Sequence, residues 1–390
     1  MNRMRWGPYY RSKILLITFV MMGLISGCVT PEIETVTEPP SEMIPVAEGN
    51  AEETVAAPEP PIIPAVVVPG SRVVRHGDEI VVAGQLFRTG NPVVLWMDED
   101  GYDGYRVERR YSALAEADWK SSQSANRALT TPNRYSLRSA TLTAAEREDH
   151  RSGNWSLSEL QEVVDQLILH YDVSGTSRQC FERLHDHRGL SIHFMVDVDG
   201  TIYQTLDLKE KAWHATLANS RSIGIEIAHM GAYPDPEHAV LKRWYAEADD
   251  AGAKLTIPSE AHPDSVRNAD YSARPARGEM ISGEINGQQL WQYDFTEEQY
   301  SALAHLAAAL HVVFPKMALD YPRDEKGELL LNTFSKPEWE QFSGLLGHYH
   351  VQTNKIDPGP ATQWDRIVRE ARALLGETES TASALDPGGK

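Results

Sequence analysis

Apolar and polar positions change their spacing along this chain in a way that divides it. The first apolar stretch, residues 14–25, contains no acid and follows Arg3, Arg5, Arg11 and Lys13. It is too short for a stable membrane span but suits the core of a signal peptide. Residues 29–70 scatter their apolar positions among nine prolines and eight glutamates, with no Lys or Arg. Such a composition keeps a chain extended and buries no core. Residues 71–120 read as β-rich, because 79–87 and 92–96 are short β-branched or aromatic runs bounded by turn residues. Residues 121–142, rich in Ser, Thr, Asn and Arg, read as loop.

After residue 142 helical and strand periods alternate. Thr143/Glu146 and Ser156/Glu159 are capping-box pairs that open helices. The run 167–169 is an apolar strand leading into His170, and 191–198 with 201–206 form a hairpin about Asp199-Gly200. Residues 222–227 are another strand. Thr296 caps a long helix running to about Val313, ended by Phe314-Pro315, and a last helix covers about 363–375. The expected class is α/β, a mixed β-sheet flanked by helices with a small β-rich N-terminal region.

Charge and cysteine usage narrow the function. The balance of 37 Lys+Arg against 56 Asp+Glu gives −19, which argues against a nucleic-acid binder. Two cysteines build neither a disulfide scaffold nor a thiolate zinc module. The apolar run ends Leu24-Ile25-Ser26-Gly27-Cys28, which resembles the bacterial lipoprotein signal. That resemblance implies cleavage before Cys28 and lipidation of its sulfur and amine, a stable membrane anchor. Losing those four cations and no acid takes the net charge from −19 to −23. Val29 stands where lipoprotein sorting associates Asp with inner-membrane retention, so the implied destination is the outer membrane, facing the periplasm. Cys180, the other cysteine, sits in a helix-like setting with Phe181 and Leu184 and reads as a buried structural thiol. Asp98-Glu99-Asp100-Gly101-Tyr102-Asp103 reads as a solvated turn in preference to a calcium loop, lacking a distal bidentate Glu.

Three segments concentrate reactive residues: His170 at a strand end, Glu226 inside an apolar strand, and Gly347-His348-Tyr349-His350 followed by Lys355-Ile356-Asp357-Pro358-Gly359-Pro360. Each alone has a bland reading as a structural His, a solvent-facing Glu or a solvated turn. Together they suit a zinc hydrolase: three His or carboxylate ligands with an open position, a non-ligand carboxylate as base, and a lysine for the developing oxyanion. There is no His-Glu-x-x-His helix and no Gly-x-Ser-x-Gly elbow.

Five segments, in family order, resemble the zinc-dependent N-acetylmuramoyl-L-alanine amidases of the peptidoglycan-recognition-protein-like type. They are Ile168-Leu169-His170, Ser191-Ile192-His193-Phe194 with Asp199-Gly200, Ala212-Trp213-His214-Ala215, Ser222-Ile223-Gly224-Ile225-Glu226, and Gly347-His348 with Lys355 to Pro360. The resemblance implies one Zn2+ on His170, His348 and Asp357, Glu226 as acid/base, and Lys355 steadying the tetrahedral intermediate. It places His214 in the groove and Asn219 in contact with substrate; Trp213 packs as structure or stacks on sugar. The implied reaction cuts the amide between N-acetylmuramic acid and L-alanine in peptidoglycan or muropeptides. A non-catalytic peptidoglycan-binding lipoprotein on the same fold is the alternative.

Departures from the family pattern leave questions. His350 stands where an acid is usual and, in extended chain, shares a side with His348; Gly347 favours His348 as the ligand. Residues 229–293 look like a loop-rich insertion that either walls the groove or decorates the surface. The expected organisation is a signal peptide (1–27), lipidated Cys28 and tether (28–70), a β-rich accessory region or belt with loop (71–150), the amidase domain (151–376), and a tail (377–390).

Overall fold

In the computed structural model, residues 69–118, 135–138, 142–151 and 155–377 are described. The signal peptide, Cys28, nearly all of the tether and the tail from residue 378 lie outside them. From Ser71 onward the chain forms one unit. No helix among the described residues is long and apolar enough to cross a membrane.

The chain enters through a hairpin of β1 (Glu79–Val82) and β2 (Gln85–Arg88), then β3 (Val93–Leu95) and β4 (Ser136–Leu137). Helices α1 (Ala144–Arg151) and α2 (Leu157–Val163) follow. The Ser156/Glu159 capping box opens α2 as its sequence predicts. Next come β5 (Gln166–Tyr171), α3 (Ser177–Phe181) running into a wider turn at Glu182–His187, the β6 (Phe194–Val196) and β7 (Ile202–Gln204) hairpin, β8 (Glu210–Lys211) and β9 (Ser222–Ile227). Then follow α4 (Ala239–Trp244), β10 (Glu247–Asp249), β11 (Gly252–Lys254), β12 (Ile281–Ile285) and β13 (Gln288–Gln292). The chain closes with α5 (Glu297–Val313), α6 (Lys336–Gln341), β14 (Gly344–Gly347), α7 (His348–Val351) and α8 (Trp364–Leu374).

The central sheet has six strands in the order β14-β5-β9-β6-β7-β3. β14, β5, β9 and β6 run parallel, β7 returns antiparallel to β6, and β3 lies parallel to β7. The expected mixed α/β sheet is therefore present. The 71–120 region is a belt of that core, since β3 supplies the sheet's outer strand.

All six residues of β5 are buried, as befits a parallel strand covered on both faces. Alternation assigns the faces. Leu167, Leu169 and Tyr171 join Ile223, Ile225 and Ile227 and the α5 and α8 side chains Leu303, Leu306, Leu310, Ile367 and Val368 in the main core. Ile168 faces the other way, with Ala215, Ala218 and Leu346. Each such side chain, fully buried, contributes about 1.5–3 kcal/mol. Helix α5 is anchored by a reciprocal cap: Gln299 N donates to Thr296 Oγ1 at 3.0 Å and Thr296 N to Gln299 Oε1 at 3.0 Å. Caps of this kind contribute about 0.5–2 kcal/mol.

One local reading changes. Part of the supposed loop 121–142 is a strand: β4 pairs with β8, fixed by Arg138 immediately after it, whose side chain is fully buried. In the Asp98 turn, Asp98 pairs with Arg75 and accepts from Leu95 N at 2.8 Å.

Candidate active site

The carboxyl ends of β14, β5 and β9 meet at one end of the sheet. His170 is the fifth residue of β5, and its register partner on β9 is Glu226. On the other side Leu169 pairs with Gly347, so the chain leaving β14 places His348 beside His170, with ring centroids 4.4 Å apart. The loop after α7 returns Asp357, whose Oδ2 lies 2.8 Å from His170 Nδ1 and 3.0 Å from His348 Nδ1. The donor atoms of these three residues all lie within 4.8 Å of one another.

The outer nitrogens of both rings are committed. His348 Nε2 lies 2.7 Å from Gln352 Oε1, and His170 Nε2 lies 3.0 Å from His214 Nδ1. Gln352 Oε1 can only accept, so His348 carries its proton on Nε2 and turns the Nδ1 lone pair toward Asp357. An acceptor nitrogen facing a carboxylate oxygen is an arrangement that a divalent cation satisfies. Two imidazoles and one carboxylate are also a recognised donor set for a catalytic metal with an open position. Burial and the neighbouring His348 lower the His170 imidazole to about 4, so it is neutral and able to ligate at physiological pH.

Glu226 projects from the same face of the sheet as His170. Its Oε2 is buried without a hydrogen-bond partner. Burial, then the Asp172 and Asp357 carboxylates, push its carboxyl well above the ordinary range. An unpartnered carboxylate beside three potential ligands can exchange a proton with a bound reactant.

These groups line a groove of about 480 Å³ with Lys355, Trp213 and His214. His214 is held neutral by burial and by His170. Gly224, two residues before Glu226 on the same strand face, makes room for it: a Cβ there would come within 2.6 Å of the His214 ring. Asn219 does not line the groove. Its Oδ1 accepts from His214 N at 3.2 Å and Ala215 N at 2.6 Å, so it shapes the loop that presents His214. Trp213 is held by its backbone N–H, which donates to Ser191 Oγ at 2.9 Å, and its side chain lines the groove. Cys180 is buried in the groove floor and burial raises its thiol, as its structural reading requires.

His350 is outside the cluster. Residues 348–351 form helix α7 and not extended chain, so positions two apart point to opposite sides. His350 Nδ1 accepts from Gly347 N at 2.8 Å, and Nε2 donates to Leu330 O at 2.8 Å.

Residues 229–293 contribute no lining to this groove; they brace it from behind. Gln292 Nε2 donates to Pro358 O at 3.0 Å and its Oε1 accepts from Ala361 N at 3.1 Å, clasping the loop that carries Asp357. Asn286 Nδ2 donates to Lys355 O at 3.0 Å.

Sequence reasoning missed Gln352, Gln292 and the groove-lining Arg183 and Arg188. Only Gln352 had a local signal, lying four residues after His348.

Residues 160–360 match the family model Amidase_2, described as N-acetylmuramoyl-L-alanine amidase. No match was found among curated proteins. Similar solved structures include a selenomethionine derivative of AmpD, at 18% identity and TM-score 0.26, covering 55% of this chain and 86% of that one. Another is AmiD from E. coli in complex with anhydro-N-acetylmuramic acid-L-Ala-D-gamma-Glu-L-Lys, at 18% identity and TM-score 0.30, covering 53% and 57%. A third is the endolysin amidase LysCS from Clostridium intestinale, at 15% identity and TM-score 0.29, covering 56% and 88%. With a family match spanning just over half of its length and the reactive residues gathered in one groove, the chain belongs to the N-acetylmuramoyl-L-alanine amidase family and is an amidase.

Proposed function

We propose that this chain is a zinc-dependent amidase that hydrolyses the bond between the lactyl group of N-acetylmuramic acid and L-alanine, in peptidoglycan or freed muropeptides. The observation that carries the reading is the convergence of His170, His348 and Asp357 beside the unpartnered Glu226 carboxylate. Zinc held by those three residues would polarise the amide carbonyl and acidify water. Glu226 takes the proton of the attacking water and delivers it to the departing alanine nitrogen. Lys355 presents its ammonium to the carbonyl oxygen as charge builds there. His214 and Trp213 form the wall against which the substrate lies. Gln352 fixes the His348 ring, and Gln292 holds the Asp357 loop.

The protein acts, in this reading, at the cell envelope as an outer-membrane lipoprotein facing the periplasm. Cys28 carries the lipid and residues 29–70 lift the domain from the surface. The acidic chain, at −19, places its local positive charge at the groove through the metal, Lys355, Arg183 and Arg188.

The test incubates the domain lacking residues 1–28 with polymeric peptidoglycan and with 1,6-anhydro-muropeptides, with and without chelator. Mass spectrometry follows peptides with a newly freed L-alanine amine. Release abolished by the chelator and restored by zinc is expected. Metal-loaded protein that releases no peptide from either substrate overturns the proposal.

A further inference from the structure

Arg138 lies upstream of residues 160–360, which match the amidase family, yet its side chain is fully buried inside the amidase core. It is bonded to backbone carbonyls and not to a carboxylate. Nε donates to Leu208 O at 3.0 Å, and Nη1 reaches Asn219 O at 3.3 Å, Ser220 O at 3.1 Å and Ser222 O at 2.9 Å. Nη2 lies 2.9 Å from His193 Nε2. Burial lowers the guanidinium to about 9, which leaves it charged at neutral pH.

The acceptors have a common address. Leu208 and Ser222 are the two ends of the segment that carries Trp213 and His214 across the groove. Asn219, whose backbone oxygen Arg138 holds, is the residue whose side chain accepts from His214 N and Ala215 N. Ser222 also places its Oγ 3.3 Å from His214 Nε2. Within this segment Thr216 adopts a left-handed backbone with φ of 47°, a conformation costly for a β-branched residue that persists only where surroundings impose it. One planar cation thus ties both ends of the groove wall together through a single donor fork that bonds four of its carbonyls.

We propose that Arg138 is a positioning residue for the substrate groove: it sets the segment 208–222, and through it Trp213 and His214, while bonding none of the metal ligands itself. The assignment of a substrate rests on the amidase reading above. The metal ligands come from β5, from α7 after β14, and from the loop after α7, none of which Arg138 bonds. The segment meets a ligand through His214 Nδ1, 3.0 Å from His170 Nε2 and on the side of that ring away from Asp357, so loss of Arg138 should loosen substrate binding without emptying the metal site.

The experiment uses the full chain with Arg138→Ala and Arg138→Lys, and millimolar guanidinium as a chemical replacement for the missing group. Hydrogen exchange is expected to accelerate across 208–222 and to stay near wild type in β5 and β14. KM should rise about tenfold with a much smaller change in kcat, the mark of lost binding and not lost chemistry. Zinc content should be unchanged, and guanidinium should restore both KM and protection in Arg138→Ala. If Arg138→Ala does not fold, Arg138→Lys decides, since it keeps the charge but loses the fork; the same local exchange and KM change are expected. Wild-type KM and wild-type exchange over 208–222 in a folded variant would overturn the proposal. So would a uniform rise of exchange in every element with KM unaltered, which marks a scaffold residue only. Hydrogen exchange needs no turnover, so it judges Arg138 even if the wild type hydrolyses neither substrate.

Discussion

His170 and Glu226 are register partners on adjacent parallel strands, so their side chains leave the same face of the sheet one strand apart. The proposed ligand and the proposed proton carrier are thereby set at a separation dictated by the ladder, about 4.8 Å between strand axes. Glu226→Gln keeps the shape and removes the base. We expect kcat to fall by about 10²–10⁴ with metal content unchanged. His170→Ala should lose the metal itself. Elemental analysis of the two purified variants separates the roles, and a metal-free Glu226→Gln would contradict them.

His348 and His350 should part company in the same assay. His348→Ala loses metal and activity. His350→Ala keeps its metal but loses two buried hydrogen bonds, to Gly347 N and Leu330 O, at a cost of about 1–3 kcal/mol. Thermal melts and metal titration of both variants check this.

Lys355 is expected to act on the transition state. Lys355→Met should retain zinc and lower kcat by about 10²–10³, with a lesser effect on KM, as for removal of an oxyanion donor. Steady-state kinetics on a muropeptide provide the measurement.

A pH effect should arise away from the metal. Asp197 is fully buried, accepting from Val198 N at 2.8 Å and Ser177 N at 3.3 Å. Burial pushes its carboxyl up to about 7. The folded chain therefore holds a proton that the unfolded chain releases near pH 3.9, the value for a free Asp. The stabilisation is full below that value and is lost as pH rises through about 7. Melting temperature should fall between about pH 4 and 7, and Asp197→Asn should flatten this slope. Equal slopes in the two proteins would dismiss the assignment.

Cys28→Ser should release the protein from the membrane fraction and abolish its labelling by fatty acid. Cell fractionation with a palmitate analogue tests this, and an unchanged membrane association would remove the lipid anchor from the proposed function.

The sheet and the reactive residues were legible because their signals are local. Thr296 with Gln299 announces α5, Ser156 with Glu159 announces α2, and an apolar run ending in His170 announces a strand end. The choice of His348 over His350 rested on Gly347; its physical reason was not legible, because it turns on residues 348–351 being helical and not extended, and a four-residue helix leaves little periodic trace. Arg138 was hidden for another reason. An arginine within a Ser- and Thr-rich stretch looks solvated, and only the tertiary fold shows four carbonyls converging on it. The bracing by Gln292 and Asn286 was equally invisible, since both lie in a segment whose composition says only loop.

β14 is the last strand of the described chain and stands at one edge of the sheet. It delivers His348, and the loop beyond it delivers Asp357, so two of the three proposed ligands join only after the rest of the sheet can form. A ribosome that has made the protein as far as residue 343 has made His170 and Glu226 but no hydrolase. Any product that ends before residue 348 therefore lacks two of the three proposed ligands. On the proposed reading, the order of synthesis alone delays the complete ligand set until the last strand and its following loop are in place.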